Sequence, residues 1–212
     1  DDLVEIIEQI AAAEHLTPGD ITRLLYRVSK GDGPVGKDQV IQAYRELAAR
    51  GVVKPSRETL AKLRTKPVRT ISGVAPVTVL TKPFPCPGEC IFCPEFSSMP
   101  KSYLPDEPGA LRAEQLAFDP CQQTALRIRA LENIGHSTDK IELLILGGTW
   151  SYYPADYQEW FIRRCLDAMN EVESQTLDEA QRRNEAAPHR NVGLVIETRP
   201  DYLDAAEVTR LR

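Results

Sequence analysis

Long apolar runs are missing from this 212-residue sequence, although 42% of its residues are hydrophobic. None approaches the roughly 20 residues that span a bilayer, so no membrane helix is expected. The start, Asp1-Asp2-Leu3-Val4-Glu5, lacks the basic region that opens a signal peptide. Self-similarity at solenoid periods is also lacking. Cysteine is scarce, at five residues. Without a secretion signal these thiols point to a reducing, cytoplasmic setting, where clustered cysteines serve metals or catalysis rather than disulfides. Net positive charge is lacking too: the balance is −5, which does not advertise nucleic-acid binding. The charge is uneven, however. Residues 1–20 hold six acids and no Lys or Arg, whereas residues 54–82 hold seven bases against one acid, Glu58. Such a basic segment is either a solvated connector or a surface for phosphates.

Residues 1–65 read as a small helical module. Leu3, Ile6, Ile7, Ile10 and Ala11 recur at helical spacing. Thr17-Pro18 has the form of an N-cap followed by proline at the first helical position, and Leu24, Leu25 and Val28 continue one stripe. Gly31-Asp32-Gly33-Pro34 breaks the pattern. A third helix is expected over Lys37–Arg50, stopped by Gly51, and Ser56 is placed to cap a short fourth.

From residue 66 the pattern changes. Residues 74–81 form a β-rich apolar run, followed by a proline-rich, cysteine-bearing loop to about Phe118. Asp119-Pro120-Cys121-Gln122 resembles a capping box, opening a helix that runs to Asn133 and stops at Gly135. A buried strand is expected over Ile141–Leu146, ending in Gly147-Gly148. A helix follows over Ala155–Asn170, a polar stretch over Glu171–Arg190, a strand over Val192–Ile196, and a helical pattern from Asp204. Alternating strands and helices imply βαβ units and a parallel sheet. Three such strands leave an unpaired edge, which suggests a truncated barrel.

The chemistry-bearing segment is Pro83-Phe84-Pro85-Cys86-Pro87-Gly88-Glu89-Cys90-Ile91-Phe92-Cys93-Pro94. Its C-x₃-C-x₂-C spacing lets three thiolates converge if the loop wraps round a centre. The prolines stiffen such a wrap and Gly88 gives it a flexible corner. Thiolates are the ligands of iron–sulfur clusters, and three ligands on a four-iron cube leave one iron open to a small molecule. Zinc stays open as an alternative, with Cys121 or His136 nearest as a fourth ligand, though neither has finger spacing. Cys165 sits on the apolar stripe of Tyr157, Phe161 and Ala168 or Met169 and reads as core, Cys121 as packing, and His136 as a local helix cap.

The cysteine spacing, with an aromatic before the last cysteine and directly after a first strand, resembles the radical S-adenosylmethionine (radical SAM) superfamily. Gly147-Gly148-Thr149 resembles that superfamily's glycine motif. Further segments are similar to the catalytic subunit of Elongator, the tRNA uridine acetyltransferase family, in its bacterial and archaeal form. They include Arg69-Thr70-Ile71-Ser72-Gly73, Pro100-Lys101-Ser102-Tyr103, Phe118-Asp119-Pro120, Asp139-Lys140 and Ile196-Glu197-Thr198-Arg199-Pro200-Asp201.

The resemblance implies an α/β fold, the first half of a radical SAM partial (β/α) barrel over residues 66–212, preceded by the helical module of residues 1–65. It implies a [4Fe–4S] cluster on Cys86, Cys90 and Cys93. It also implies S-adenosylmethionine (SAM) held by Gly147, Gly148, Thr149 and Glu197. Glu197 has a second reading, a strand-end ion pair with Arg199. Acetyl-CoA is the implied co-substrate, bound by an acetyltransferase domain not expected in these residues. The implied substrate is the anticodon arm of tRNA, modified at carbon 5 of the wobble uridine. Lys62, Arg64, Lys66, Arg69 and Lys101 are its expected phosphate contacts, gathered on one face near the cluster. A radical SAM enzyme of other specificity and a non-catalytic metal-binding RNA module are the competing readings.

Overall fold

The computed structural model describes residues 2–13, 16–27, 37–64, 66–94 and 96–212. Val28 and the Gly31–Pro34 break lie outside them. The chain divides into two compact units: residues 1–73 with 129–137, and residues 74–128 with 138–212.

The first unit is helical, with α1 (Asp2–Ala12), α2 (Pro18–Arg27), α3 (Lys37–Ala49) and α4 (Arg57–Leu63). Its local signals act as the sequence suggests. The Thr17 hydroxyl accepts from the Asp20 N–H at 3.2 Å while the Asp20 carboxylate accepts from the Thr17 N–H at 3.0 Å, a reciprocal capping box. Ser56 caps α4 by accepting from the Thr59 N–H at 3.3 Å. The helices bury one apolar stripe each, so Ile6, Ile7, Ile10, Ile21, Leu25, Val40, Ile41, Tyr44 and Leu63 form a single core. Tyr44 is buried with its hydroxyl on the backbone of Lys54 and Ser56, which ties the α3–α4 connection down.

The second unit is α/β. Strands β1 (Ala75–Leu80), β2 (Lys140–Leu146) and β3 (Arg190–Ile196) form a parallel sheet in the order β1-β2-β3. The helices between them are α5 (Pro108–Gln115), α6 (Pro120–Asn133), α7 (Ala155–Asn170) and α8 (Leu177–Asn184), and α9 (Ala205–Leu211) follows β3. In the central strand the alternate residues Ile141, Leu143 and Ile145 are buried, and β3 is a half-exposed edge. On α7, Phe161, Cys165 and Met169 are fully buried at i, i+4 and i+8, so Cys165 is a core residue.

Two helices depart from the sequence expectation. α8 lies inside the stretch read only as polar, and α5 inside the loop leading to Phe118. α8 buries little beyond Ala180 and Asn184, so it shows no apolar period. It is held instead by buried hydrogen bonds to α7, where Asn170 Nδ2 donates to the Ala180 carbonyl at 2.9 Å and Asn184 Nδ2 donates to Asn170 Oδ1 at 2.7 Å, and by its N-cap and surface pairs. Thr176 accepts from the Glu179 N–H at 3.1 Å, and Asp178–Arg182 and Glu179–Arg183 pair at i,i+4, each at 2.6 Å. α5 begins with Pro108 and buries only the small Ala110 and Ala113.

Candidate functional site

The register Leu80↔Leu146 and Ile145↔Ile196 brings the three carboxyl strand ends level. Ligands of open parallel sheets collect at this edge. β1 runs out through Thr81 and Lys82 into the cysteine loop, β2 into Gly147-Gly148-Thr149, and β3 into Glu197.

The glycine turn is fixed from several sides. Gly147 has φ +131° and Gly148 φ +98°, backbone that L-residues rarely adopt. A Cβ on Gly147 would stand 2.0 Å from Thr81 Oγ1, so this position is glycine because β1 crowds it. The Gly147 carbonyl lies 2.8 Å from the Tyr153 hydroxyl and 3.2 Å from Thr81 Oγ1, two hydroxyls that also meet each other at 2.8 Å and share their single protons with the Lys82 and Leu146 carbonyls. Burial pushes the Tyr153 phenol up to about 12. The Gly147 N–H donates to Glu197 Oε2 at 3.1 Å. On Gly148 the space is open apart from Lys101, whose Cβ would be 3.5 Å from an added Cβ.

Glu197 is not the partner of Arg199, which corrects one of its two readings. Arg199 binds Asp201 instead, Nε to Oδ1 at 2.9 Å and Nη2 to Oδ2 at 2.7 Å. The two oxygens of Glu197 accept from the Tyr103 hydroxyl at 2.8 and 2.9 Å, and among the described residues it has no ion-pair partner. The free guanidinium nitrogen of Arg199 turns to the cysteine loop, donating to Cys90 Sγ at 3.3 Å. A Cβ on Gly88 would fall 1.9 Å from that same nitrogen, so Gly88 is what lets Arg199 lie against the loop.

Each of the three loop thiols therefore meets a different strand end or flanking turn. Cys86 Sγ lies 3.4 Å from the buried Thr149 hydroxyl, Cys90 takes the Arg199 donor, and Cys93 Sγ lies 3.7 Å from Ser102 Oγ. All are free thiols, half-exposed or exposed. Among the described residues no three His, Cys, Asp or Glu side chains gather closely enough to grip a metal ion as they stand. What fits a cluster is the donor set: three free thiols within eight residues, with hydroxyl and guanidinium groups already beside the sulfurs as an outer shell. Zinc's possible fourth ligands do not join them. Cys121 lies at the start of α6 with its thiol pushed up by burial. His136 is buried in the helical unit, with Nδ1 2.8 Å from Thr70 Oγ1.

The basic residues divide. Lys62, Arg64, Lys66 and Arg69 belong to the helical unit, whereas Lys101 belongs to the α/β unit that carries the cysteines. Lys62 is a strut: its ammonium donates to the Ala13 carbonyl at 2.7 Å and to those of Ile10 and Ala11 at 3.5 Å, satisfying the end of α1. Glu58 at 3.3 Å joins these carbonyls, so the Lys62 ammonium has its partners within the helical unit. Arg64 Nε donates to the Gly135 carbonyl at 3.1 Å. Lys66 and Arg69 are exposed. Among the site's side chains, Tyr103, Thr81 and Tyr153 had no role in the sequence reading. Only the Pro100-Lys101-Ser102-Tyr103 segment gave a signal for the first.

The fold and its strand-end site define an α/β protein with a candidate cofactor edge. No protein-family model matches the chain. Its sequence is 56% identical over 155 residues to the "tRNA uridine(34) acetyltransferase" of Methanocaldococcus infernus, covering 70% of this chain and 29% of that protein. It is 39% identical over 154 residues to human "Elongator complex protein 3", covering 68% and 28%. The solved structure of archaeal Methanocaldococcus infernus Elp3 with an N-terminal deletion superposes with TM-score 0.51 at 45% identity, covering 66% of this chain and 26% of that one. The chain belongs to this family of tRNA uridine(34) acetyltransferases and Elongator complex protein 3. It spans under a third of the length of those relatives. No helix among the described residues is long and apolar enough to cross a membrane.

Proposed function

We propose that this chain is the cofactor-bearing part of an enzyme that modifies carbon 5 of the wobble uridine in tRNA. The three β/α units are then the first part of a radical SAM partial barrel. The observation that carries the reading is the convergence of the cysteine loop, the Gly147-Gly148-Thr149 turn and Glu197 at one level edge of the sheet. Cys86, Cys90 and Cys93 would hold a [4Fe–4S] cluster. Bound there with SAM, such a cluster supplies the one-electron chemistry that activates a carbon of acetyl-CoA for bonding to the uracil ring.

The chain's own groups position and shield. The Gly147 N–H is already engaged by Glu197 and its carbonyl faces the Tyr153 and Thr81 hydroxyls, so Gly148 and Thr149 are the parts of the turn left to meet SAM. Glu197 carries a negative charge with two donors and no ion-pair partner among the described residues, which suits the ammonium of an amino-acid ligand. Phe84 stacks on Tyr153 at 4.7 Å and Tyr153 on Tyr157 at 5.2 Å, an aromatic wall that keeps water from the turn's rear. A cleft of about 550 Å³ lined by Phe84, Phe96, Met99 and Lys101 opens beside the loop. Phosphate contacts for the tRNA anticodon arm would come from the basic residues Arg64, Lys66 and Arg69 of the helical unit and from Lys101 of the α/β unit, with Lys62 the least suited because its ammonium already meets backbone carbonyls. Acetyl-CoA is the co-substrate, and no residue of this chain is assigned to it.

The test is anaerobic reconstitution of the full-length enzyme with iron and sulfide, followed by reduction in the presence of SAM. The reading expects iron-dependent formation of 5′-deoxyadenosine. Iron-loaded, reduced protein that leaves SAM intact would overturn it.

A further inference from the structure

We propose that Tyr103 is a positioning residue for the ligand of the glycine turn: its hydroxyl holds the Glu197 carboxylate, and the carboxylate in turn holds the Gly147 N–H and keeps acceptor capacity for an ammonium group. This inference rests on the SAM reading of the site and adds to it a residue that touches neither thiol nor ligand.

The segment before Tyr103 is built to deliver that hydroxyl. Met99 is buried with Leu80, Ala110 and Ala113, and the Tyr103 ring packs against this cluster with Leu146. Ser102 adopts φ +77°, a left-handed backbone that costs a non-glycine residue free energy and persists only where the surroundings demand it. The Tyr103 N–H closes the turn on the Pro100 carbonyl at 3.2 Å. The hydroxyl then reaches both Glu197 oxygens, at 2.8 and 2.9 Å. Burial, and then the hydrogen bond to Glu197, raises the Tyr103 phenol above its ordinary value, so it stays a donor.

The geometry makes a relay of three parts. Tyr103 belongs to the stretch following the cysteines, Glu197 to the end of β3, and Gly147 to the end of β2. An ionised carboxylate offers about four lone-pair sites. Here one phenol proton and one amide proton meet it, which leaves room for a further donor. Without the phenol, the carboxylate is free to turn away from Gly147, and the ligand must then organise it on binding. Such a reorganisation lowers affinity without touching the iron ligands.

The experiment compares wild type, Tyr103→Phe, Glu197→Gln and the double variant in full-length, cluster-loaded protein. Tyr103→Phe keeps the half-buried ring, so the fold and the iron content are expected to be those of wild type. Two quantities are read: the dissociation constant for SAM, and the amide resonance of Gly147 in ligand-free, glycine-labelled protein. The expected result is a roughly tenfold weaker SAM affinity in Tyr103→Phe, with the Gly147 amide proton moved upfield as its carboxylate bond loosens. The double variant should bind SAM no more weakly than Glu197→Gln alone, because the phenol acts only through the carboxylate. Wild-type affinity in Tyr103→Phe, an unmoved Gly147 resonance, or losses that simply add in the double variant would each overturn the positioning role. A wild-type protein that loads iron yet binds no SAM would instead overturn the cofactor reading, and this inference with it.

Discussion

The glycine turn and the cysteine loop lie side by side on one edge of the sheet, yet the fold treats them in opposite ways. Around Gly147 the carbonyl and N–H are both engaged, by Tyr153, Thr81 and Glu197. In the loop from Lys82 to Ser98, by contrast, the only backbone N–H with a backbone partner among the described residues is that of Cys93, on the Cys90 carbonyl at 3.0 Å. Phe84 anchors its start by stacking on Tyr153 at 4.7 Å, but Ile91 and Phe92 at its tip are 99% and 86% exposed, so no apolar burial anchors the cysteine-bearing tip. The turn is preorganised by the protein. The loop is left for something else to organise, as a segment whose wrap depends on a bound group would be.

Breaking the turn should have the larger effect on the fold. Gly147→Val sets a branched side chain on Thr81 in a backbone region reserved for glycine, and should cost roughly 2–5 kcal/mol of stability in chemical denaturation. A second contrast of the same kind separates Lys62 from Lys66. Lys62→Ala removes the strut from α1 to α4 and should destabilise the helical unit by about 1–3 kcal/mol. Lys66→Glu with Arg69→Glu should leave stability unchanged while flattening the salt dependence of tRNA binding by roughly 1 for each phosphate deprived of its cation. Unchanged stability in Lys62→Ala would return that residue to the candidate RNA surface.

Smaller effects sharpen the picture of the loop. Gly88→Ala pushes aside only the end of the Arg199 side chain, so the melting temperature should hold. Loss of a donor to Cys90 Sγ should shift the potential of a loaded cluster to more negative values, checked by redox titration. The smallest effect is expected at Cys165. Its thiol is fully buried and pushed up to about 12, so it should resist alkylation at pH 8 in folded protein while Cys90 reacts.

Local signals explain how much was legible in advance. The three strands, α7 and the caps at Thr17, Ser56 and Asp119 are written in adjacent residues, and Asp119 accepts from the Gln122 N–H at 2.7 Å as its capping box suggests. α8 escaped because it is held by Thr176, surface ion pairs and buried asparagine hydrogen bonds to α7 rather than by an apolar period. Its Thr176-Leu177-Asp178-Glu179 box was the available clue. The cysteines and the glycine turn were visible as motifs. Tyr103 and Arg199 stood in quoted segments, but what they and Thr81 touch was not legible, because each meets its target across 66 to 109 residues of sequence. Lys62 shows the same limit: charge spacing marked it as basic surface, and only the fold reveals the carbonyls it caps.

The central claim is that the loosely held loop is a three-thiolate cluster site. Iron and sulfide analysis of anaerobically reconstituted protein, with its electron paramagnetic resonance spectrum after reduction, tests it most directly. The expected result is about 4 irons per chain, absent from each of Cys86→Ala, Cys90→Ala and Cys93→Ala and retained in Cys165→Ala and Cys121→Ala. Iron that survives Cys90→Ala, or zinc bound with Cys121 as a required ligand, would contradict it.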